Sequence, residues 1–280
     1  MKLMLFICFI LLFPPPAHAQ ESAEKPEVPV DRWARKTILL IGAHADDDAM
    51  SHGTLAMLQA HGNQIYIVTL TTGNVGTQDP NLSRTQLAEI RRQEELAALA
   101  ELGISGEHYI NLGYDDGLLE FEDRKTLVEK LVRLIRTIRP DVLFAFDPGK
   151  RYQRWHKSDH RTAAYLAADA ARAAMWRLLF EGQIIQDGLK EYMIPEYMFY
   201  DAHEDENIWV DIGEFAEKRV SAGAKYVSQF GPGWNKYKPQ LSEVEVKKMR
   251  DSVRAAIRMK DGKPIEGFRY YKGLPDSIGK

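Results

Sequence analysis

The chain has 280 residues, with 37 lysines and arginines against 40 aspartates and glutamates, so its formal net charge is −3. This mildly acidic balance, without a basic block, makes nucleic acid or an anionic membrane a poor candidate partner. The single cysteine, Cys8, excludes an intrachain disulfide, so the fold must rely on its apolar core.

The first 19 residues predict a secretory signal peptide. Lys2 precedes an apolar run over residues 3–13, and Ala17-His18-Ala19 is typical of a cleavage site. The run is shorter than the roughly 20 residues that span a membrane; a short membrane anchor is the alternative. We expect cleavage near Ala19, export to the periplasm or the medium, and no stable membrane insertion of the mature chain.

Residues 20–36 are rich in proline, glutamate and lysine and predict a loose N-terminal lead. From residue 37 to the end we expect one domain, in which apolar segments of strand length alternate with segments of helical periodicity. The predicted strands cover 37–42, 64–70, 108–112, 141–146, 196–200 and 208–212. The predicted helices cover 49–61, 83–102, 123–139, about 158–180, 213–229 and 242–259, and a surface strap is expected at 267–280. This alternation predicts a Rossmann-like α/β fold with a mainly parallel sheet flanked by helices.

Acidic and imidazole side chains follow three of the predicted strands, at the edge where such sheets bind ligands. The three stretches are His44-Ala45-Asp46-Asp47-Asp48, Asp115-Asp116, and Trp155-His156-Lys157-Ser158-Asp159-His160. His44 and Asp47 are three residues apart and can face one point if the chain curls into a helix there. Catalytic zinc takes about three protein ligands from histidine and carboxylate, and His160 is a candidate for the third.

Two simpler interpretations exist for these residues. A run of aspartates after a strand is also typical of a solvated helix N-terminus, where acidic groups favour the helix dipole. His156 and His160 are four residues apart and would also fit a surface pair on a helix. Because both features directly follow a predicted parallel strand, the pattern favours a metal site over either alternative.

Several segments resemble the motifs of the PIG-L or LmbE-like de-N-acetylases. The stretch 43–48 resembles the family's A-H-P-D-D-[E/T] motif, and 158–161 resembles the end of its second histidine motif. Further similarity lies in Arg92-Gln93-Glu94-Glu95, Leu102-Gly103, Leu112-Gly113-Tyr114-Asp115-Asp116-Gly117, Asp211-Ile212 and Ser228-Gln229. Together these segments cover roughly residues 37–270.

The resemblance implies a zinc-dependent hydrolase that removes an acetyl group from an N-acetylglucosamine-type sugar or glycoconjugate. By this resemblance His44, Asp47 and His160 hold Zn²⁺, and Asp46 is the general base toward the water that the metal activates. Arg92 contacts substrate or braces the site; the alternative is an exposed helix arginine paired with Glu95. Asp116 is expected to fix its own loop through backbone hydrogen bonds.

The sequence departs from the family pattern at four positions. Ala45 replaces proline, Asp48 replaces a longer acid or threonine, and Tyr226 stands where a histidine is common before Ser228-Gln229. In the second motif Lys157 occupies the position of a histidine, and His156 lies one residue further back. Either His156 or Lys157 would therefore steady the oxyanion or protonate the leaving amine.

Two other functions remain open from the sequence. One is a zinc amidase that acts on a non-sugar N-acyl substrate. The other is a metal-containing carbohydrate-binding module that has lost activity, which the altered second motif would explain. Retention of Asp46 argues against a pure binding module, because binding does not require a general base. The expected partner is a small-molecule or oligosaccharide substrate with an N-acetyl group, and the sequence carries no signal for an oligomeric state.

Overall fold

The computed structural model describes residues 25–149 and 157–273. The predicted signal peptide and His156 lie outside these ranges. Eight strands form the sheet of the described chain: β1 (Thr37–Gly42), β2 (Gln64–Thr71), β3 (Tyr109–Tyr114), β4 (Val142–Phe146), β5 (Glu196–Tyr200), β6 (Ile208–Asp211), β7 (Arg258–Lys260) and β8 (Lys263–Lys272). The α-helices are α1 (His52–Ala60), α2 (Arg84–Leu102), α3 (Arg124–Ile138), α4 (Ser158–Ala174), α5 (Glu181–Ile185), α6 (Ala216–Gly223), α7 (Val227–Phe230) and α8 (Glu243–Ala255).

The strand order is β3-β2-β1-β4-β5-β8-β6, and β7 pairs with β8. The pairs from β3 to β5 are all parallel, whereas β8 runs antiparallel to β5, β6 and β7. The predicted α/β fold class, with a mainly parallel sheet flanked by helices, is confirmed. Since the parallel strands share one direction, their carboxyl ends lie along one edge, which we call the carboxyl edge.

The centre of the sheet is apolar because both of its faces are covered by helices. Residues 38–41 of β1 are fully buried, and so are residues 142–146 of β4. One helical group consists of α3 packed on α4, and a second consists of α1, α2, α6 and α8. The long helix α2 begins at a capping box formed by Ser83 and Gln86 and ends at Gly103, whose φ is +83°.

The prediction of a surface strap at 267–280 is wrong for residues 267–272, which belong to strand β8. Strand β8 lies inside the sheet between β5 and β6, and the side chains of Phe268 and Tyr270 are fully buried. The signal that identifies it is Asp261-Gly262, which connects β7 to β8 with positive φ at both residues. Such an Asp-Gly pair is typical of a two-residue hairpin turn.

Strand β8 also carries Glu266, a buried carboxylate at the start of α1. Its oxygens accept hydrogen bonds from the backbone N–H of Gly53 at 2.9 Å and of Thr54 at 2.8 Å. Arg219 forms an ion pair with the same carboxylate. The first turn of α1 has N–H groups without partners inside the helix, and Glu266 satisfies two of them.

Other element boundaries also differ from the prediction. The helix expected at 158–180 ends at Ala174, and the helix expected at 213–229 is divided between α6 and α7. Within the N-terminal lead, Val30 and Trp33 are buried and join the apolar core, whereas the residues beside them are exposed. The indole N–H of Trp33 donates to the carbonyl of Val28 at 2.8 Å. Within the described ranges, no helix combines the length and hydropathy that crossing a bilayer requires.

Candidate metal centre

Three elements bring polar side chains together at the carboxyl edge. The turn after β1 carries His44, Asp46 and Asp47, the segment after β3 carries Asp116, and the first turn of α4 carries His160. The stretches lie far apart in sequence. They meet because β1 pairs directly with β4, and only β2 separates β1 from β3.

His44, Asp47 and His160 form a compact, buried triangle. His160 Nε2 lies 3.2 Å from His44 Nδ1 and 3.3 Å from Asp47 Oδ1, and His44 Nδ1 lies 3.7 Å from Asp47 Oδ2. Tetrahedral zinc with bonds of about 2.0–2.1 Å separates its ligand atoms by about 3.3 Å. Both the ligand types and their spacing therefore fit a divalent metal ion with three protein ligands.

Asp47 is held in place by the backbone that precedes it. Its Oδ2 accepts hydrogen bonds from the N–H groups of Ala43 at 2.7 Å and His44 at 2.8 Å. Burial alone would raise the pKa of Asp47, but the neighbouring His160 and His44 keep that pKa well below its ordinary value. The carboxylate is thus ionised and pre-oriented, as metal binding requires.

The other nitrogen of His44 faces two carboxylates. Its Nε2 lies 2.9 Å from Asp116 Oδ1 and 3.3 Å from Asp159 Oδ2. Burial by itself lowers the pKa of His44, but the hydrogen bonds to Asp116, Asp159 and Asp47 raise it well above the ordinary value. A ligand histidine commonly donates its second N–H to a carboxylate, which fixes the ring and leaves the first nitrogen for the metal.

Asp116 therefore acts on His44, whereas the sequence analysis assigned it to its own loop. Burial raises the pKa of Asp116, yet the hydrogen bond to His44 and the charges of His44 and Arg91 bring it down to about 2. Asp159 also accepts hydrogen bonds from the backbone N–H of Gly117 at 2.6 Å and of Leu119 at 3.2 Å. It thereby joins α4 to the segment after β3.

Asp46 differs from the aspartates that follow it in its exposure. Its side chain is 15% exposed, against 5% for Asp47 and 3% for the neighbouring Arg91. Burial raises the pKa of Asp46 to about 6; the charge of Arg91 is the largest influence opposing this rise. A partly exposed carboxylate with a pKa near neutrality, next to the metal triangle, is suited to accept a proton.

Arg91, which the sequence analysis did not single out, is the arginine of the site. Its guanidinium nitrogens lie 3.1 Å from Asp46 Oδ2 and 4.0 Å from Asp116 Oδ2, and it donates to the carbonyl of Gly73 at 3.2 Å. A Cβ on Gly73 would lie 2.4 Å from this guanidinium, so only glycine fits the close approach. Arg91 thus ties the turn after β1 to the loop after β2.

Arg92, predicted to contact substrate, is exposed on the far side of α2. Its guanidinium lies over the ring of Tyr109 at 5.8 Å. The structure does not place it with the cluster, and its alternative partner Glu95 is buried and bonded to Tyr226 instead. The helical phase separates the two arginines, because Arg91 is four residues after the buried Leu87.

The second motif is described from Lys157 onward. His160 is buried in the first turn of α4, and the ring of Phe146 stacks on it at 4.3 Å. Lys157 directly precedes α4 and has an exposed side chain. Burial raises the pKa of Asp46, and the charge of Lys157 is one of several that oppose this rise.

The Ser228-Gln229 segment supports the wall of the site. Ser228 donates from its backbone N–H at 2.7 Å and from its hydroxyl at 2.6 Å to the two oxygens of Glu94. Gln229 Nε2 donates to the carbonyl of Gly76 at 2.9 Å. A Cβ on Gly76 would lie 3.2 Å from Arg91 and 3.5 Å from Asp116, so this loop lies directly against these two side chains of the site.

Comparisons with known proteins agree with this architecture. Residues 39–171 match the model of the family described as PIG-L, GlcNAc-PI de-N-acetylase. The chain is 29% identical over 241 residues to diacetylchitobiose deacetylase of Thermococcus kodakarensis, covering 85% of this chain and 84% of that protein. It is 33% identical over 177 residues to 1D-myo-inositol 2-acetamido-2-deoxy-alpha-D-glucopyranoside deacetylase of Streptomyces scabiei, covering 54% of each.

A solved structure shows the same similarity over most of the chain. N,N'-diacetylchitobiose deacetylase from Pyrococcus horikoshii, complexed with its inhibitor MPG, superposes with a TM-score of 0.72 at 28% sequence identity. The superposition covers 87% of this chain and 86% of that one.

Proposed function

Because the chain belongs to the PIG-L family of de-N-acetylases, we propose that it is a zinc-dependent hydrolase. Its proposed reaction removes the acetyl group from an N-acetylglucosamine-type sugar or glycoconjugate. The observation that carries the proposal is the buried triangle of His44, Asp47 and His160 with the more exposed Asp46 beside it. Three ligands leave zinc one position for water or substrate, which distinguishes a catalytic zinc site from a structural one.

A zinc ion held by His44, Asp47 and His160 would polarise the acetyl carbonyl and lower the pKa of a water molecule. Asp46 takes the proton of the attacking water on its carboxylate, and Arg91 holds that carboxylate in place. The water oxygen first adds to the carbonyl carbon, which places negative charge on the carbonyl oxygen. The amide C–N bond then breaks as the nitrogen gains a proton, and acetate and a free amine are released. Asp116 and Asp159 hold the ring of His44 throughout.

The group that assists the leaving amine is assigned to Lys157. Lys157 is an exposed residue directly before α4, and its positive charge lowers the pKa of Asp46 against the rise caused by burial. A cation there stabilises negative charge that develops on the carbonyl oxygen, and an ammonium proton can pass to the amine. His156 is the alternative for this role.

The substrate class follows from what the relatives share. Their names contain diacetylchitobiose and a 2-acetamido-2-deoxyglucopyranoside, and both hold the N-acetylglucosamine unit. We propose that this chain acts on the same unit, either as a small molecule or within an oligosaccharide.

We also propose that the mature protein is exported after cleavage near Ala19. The support is the basic, apolar and small-residue pattern of residues 1–19. N-terminal sequencing of the protein from the periplasm or the medium tests this. A mature chain that begins at Gln20 is expected, and an intact Met1 in the cytoplasm would contradict export.

The test of function is acetate release from N-acetylglucosamine, its oligomers and a panel of N-acyl amines, with zinc supplied. We expect release from the sugars and none from the non-sugar amides. His44→Ala and His160→Ala should each lower the zinc content of the purified protein, because each removes one of three ligands. Stoichiometric zinc in both variants, or sugar binding without acetate release, would overturn the proposal.

A further inference from the structure

A group of buried polar side chains adjoins the turn that carries Asp46 and Asp47. Its members are Asp48, His52 of α1, Glu95 of α2 and Tyr226, which precedes α7. Each is 2% exposed or less. The chemistry assigned above uses none of them, yet burying two carboxylates is costly unless hydrogen bonds compensate.

Tyr226 joins the two carboxyl groups. Its Oη lies 3.1 Å from Asp48 Oδ1 and 3.0 Å from Glu95 Oε2. A phenolic hydroxyl has one proton to donate and lone pairs to accept one, so it bonds both groups only by donating to one and accepting from the other. The other oxygen of Asp48 lies 2.9 Å from His52 Nε2, and the rings of His52 and Tyr226 stack with centroids 6.0 Å apart.

This unit joins the site turn at Asp48, the residue after Asp47. Tyr226 links Asp48 to Glu95 of α2, and His52 of α1 holds the other oxygen of Asp48. Two residues before Asp48, the backbone of Asp46 has a φ of +112°, in the left-handed region that residues other than glycine rarely adopt. Such a conformation persists only where surrounding contacts enforce it.

We propose that Tyr226 is a positioning residue of the hydrolase. Through Asp48 and Glu95, its hydroxyl holds the turn in the one conformation that presents Asp46 to the substrate and Asp47 to the metal. The inference rests on the proposed function and deepens it, since it assigns part of the catalytic geometry to a side chain that contacts neither substrate nor metal.

Tyr270 provides a matched control. It is also fully buried, and its hydroxyl also donates to a carboxylate, Glu196 Oε1, at 2.8 Å. Glu196 begins β5, at the edge of the sheet opposite the metal triangle. Glu196 is partly exposed and also pairs with Lys36, whereas Asp48 and Glu95 are buried. Tyr270→Phe is therefore expected to lower stability by no more than Tyr226→Phe.

The experiment compares wild type, Tyr226→Phe and Tyr270→Phe as full-length, zinc-loaded proteins. We expect kcat of Tyr226→Phe to fall by about tenfold to 10²-fold with KM within about threefold of wild type, because small misplacements of catalytic groups have effects of this size. Tyr270→Phe should keep the wild-type kcat. Equal kcat values for the two variants would overturn the inference.

A second readout does not depend on activity. Each protein is loaded with Co²⁺ in place of zinc, and the visible absorption of the ion reports the geometry of His44, Asp47 and His160. We expect a changed spectrum for Tyr226→Phe and a wild-type spectrum for Tyr270→Phe. If wild type hydrolyses no substrate, the proposed function fails while this spectrum still decides the role of Tyr226.

Glu95→Gln tests the same unit from its other end and decides the matter should Tyr226→Phe not fold. It should show the same loss of kcat. The double variant should lose no more than the larger single loss, because residues that act as one unit are non-additive. Losses of kcat that multiply in the double variant, or a wild-type kcat in Glu95→Gln, would show that Tyr226 does not act through Glu95.

Discussion

The buried carboxyl group of Glu94 makes the pH dependence of stability a quantitative test of this structure. Burial raises the pKa of Glu94 from 4.5 to about 7, although the hydrogen bonds from Ser228 and the charge of Arg91 oppose the rise. The folded state thus keeps a proton that the unfolded state loses at lower pH. Stability from this group is present at low pH and declines as pH rises from the unfolded pKa through the folded one.

The size of the effect follows from the two pKa values. Between about pH 5 and about pH 8.5, the free energy of unfolding should fall by ~2.5 kcal/mol through Glu94 alone. Glu94→Gln removes the titration but keeps an oxygen for Ser228. The variant is therefore expected to gain this amount on wild type across the interval.

The assay is urea unfolding of wild type and variant at both pH values, in metal-free protein so that zinc binding adds no pH dependence of its own. Glu89→Gln, an exposed position on the same helix, is the control and should follow wild type at both pH values. If the curves of Glu94→Gln and wild type run parallel with pH, the raised pKa of Glu94 and the reasoning from its burial are refuted.

Three further predictions concern turnover. Asp46→Ala should lower kcat by about 10²-fold or more with zinc still bound, and full activity would remove Asp46 from the role of base. Arg91→Ala should abolish most activity whereas Arg92→Ala should leave it near wild type, and steady-state kinetics with the reverse ranking would contradict the placement of the two arginines. Lys157→Ala should lower kcat by about 10²-fold and His156→Ala should not, and the opposite result would assign the leaving-group role to His156.

The parallel half of the sheet was predictable because its strands are buried on both faces. In an α/β chain, a short continuous apolar run such as Thr37–Gly42 is typical of a parallel strand buried on both faces. Its predicted boundaries match those of β1. Strand β8 alternates buried and exposed positions and carries charged residues, so its apolar content did not stand out. The Asp261-Gly262 turn was the available signal.

The site was predictable in its residue types more than in its pairings. The histidine and aspartates after β1 announced a ligand set, but nothing local indicates that Asp116 and Asp159 support His44, since 72 and 115 residues separate these partners. The choice between Arg91 and Arg92 depended on one residue of helical phase. Arg91, four residues after the buried Leu87, is the arginine on the buried face of α2. The motif match pointed to Arg92 instead, because it was offset by one residue.

The cap on α1 has a consequence for how the molecule is made. The turn that carries His44 and Asp47 leaves the ribosome early, yet the carboxylate that secures the following helix lies 213 residues later, at Glu266. Contacts of such long sequence separation form late, because the intervening chain must be ordered first. A nascent chain that ends before β8 therefore has its metal ligands but lacks the contact that secures the first turn of α1. We expect that turn to become fixed only after β8 has been synthesised.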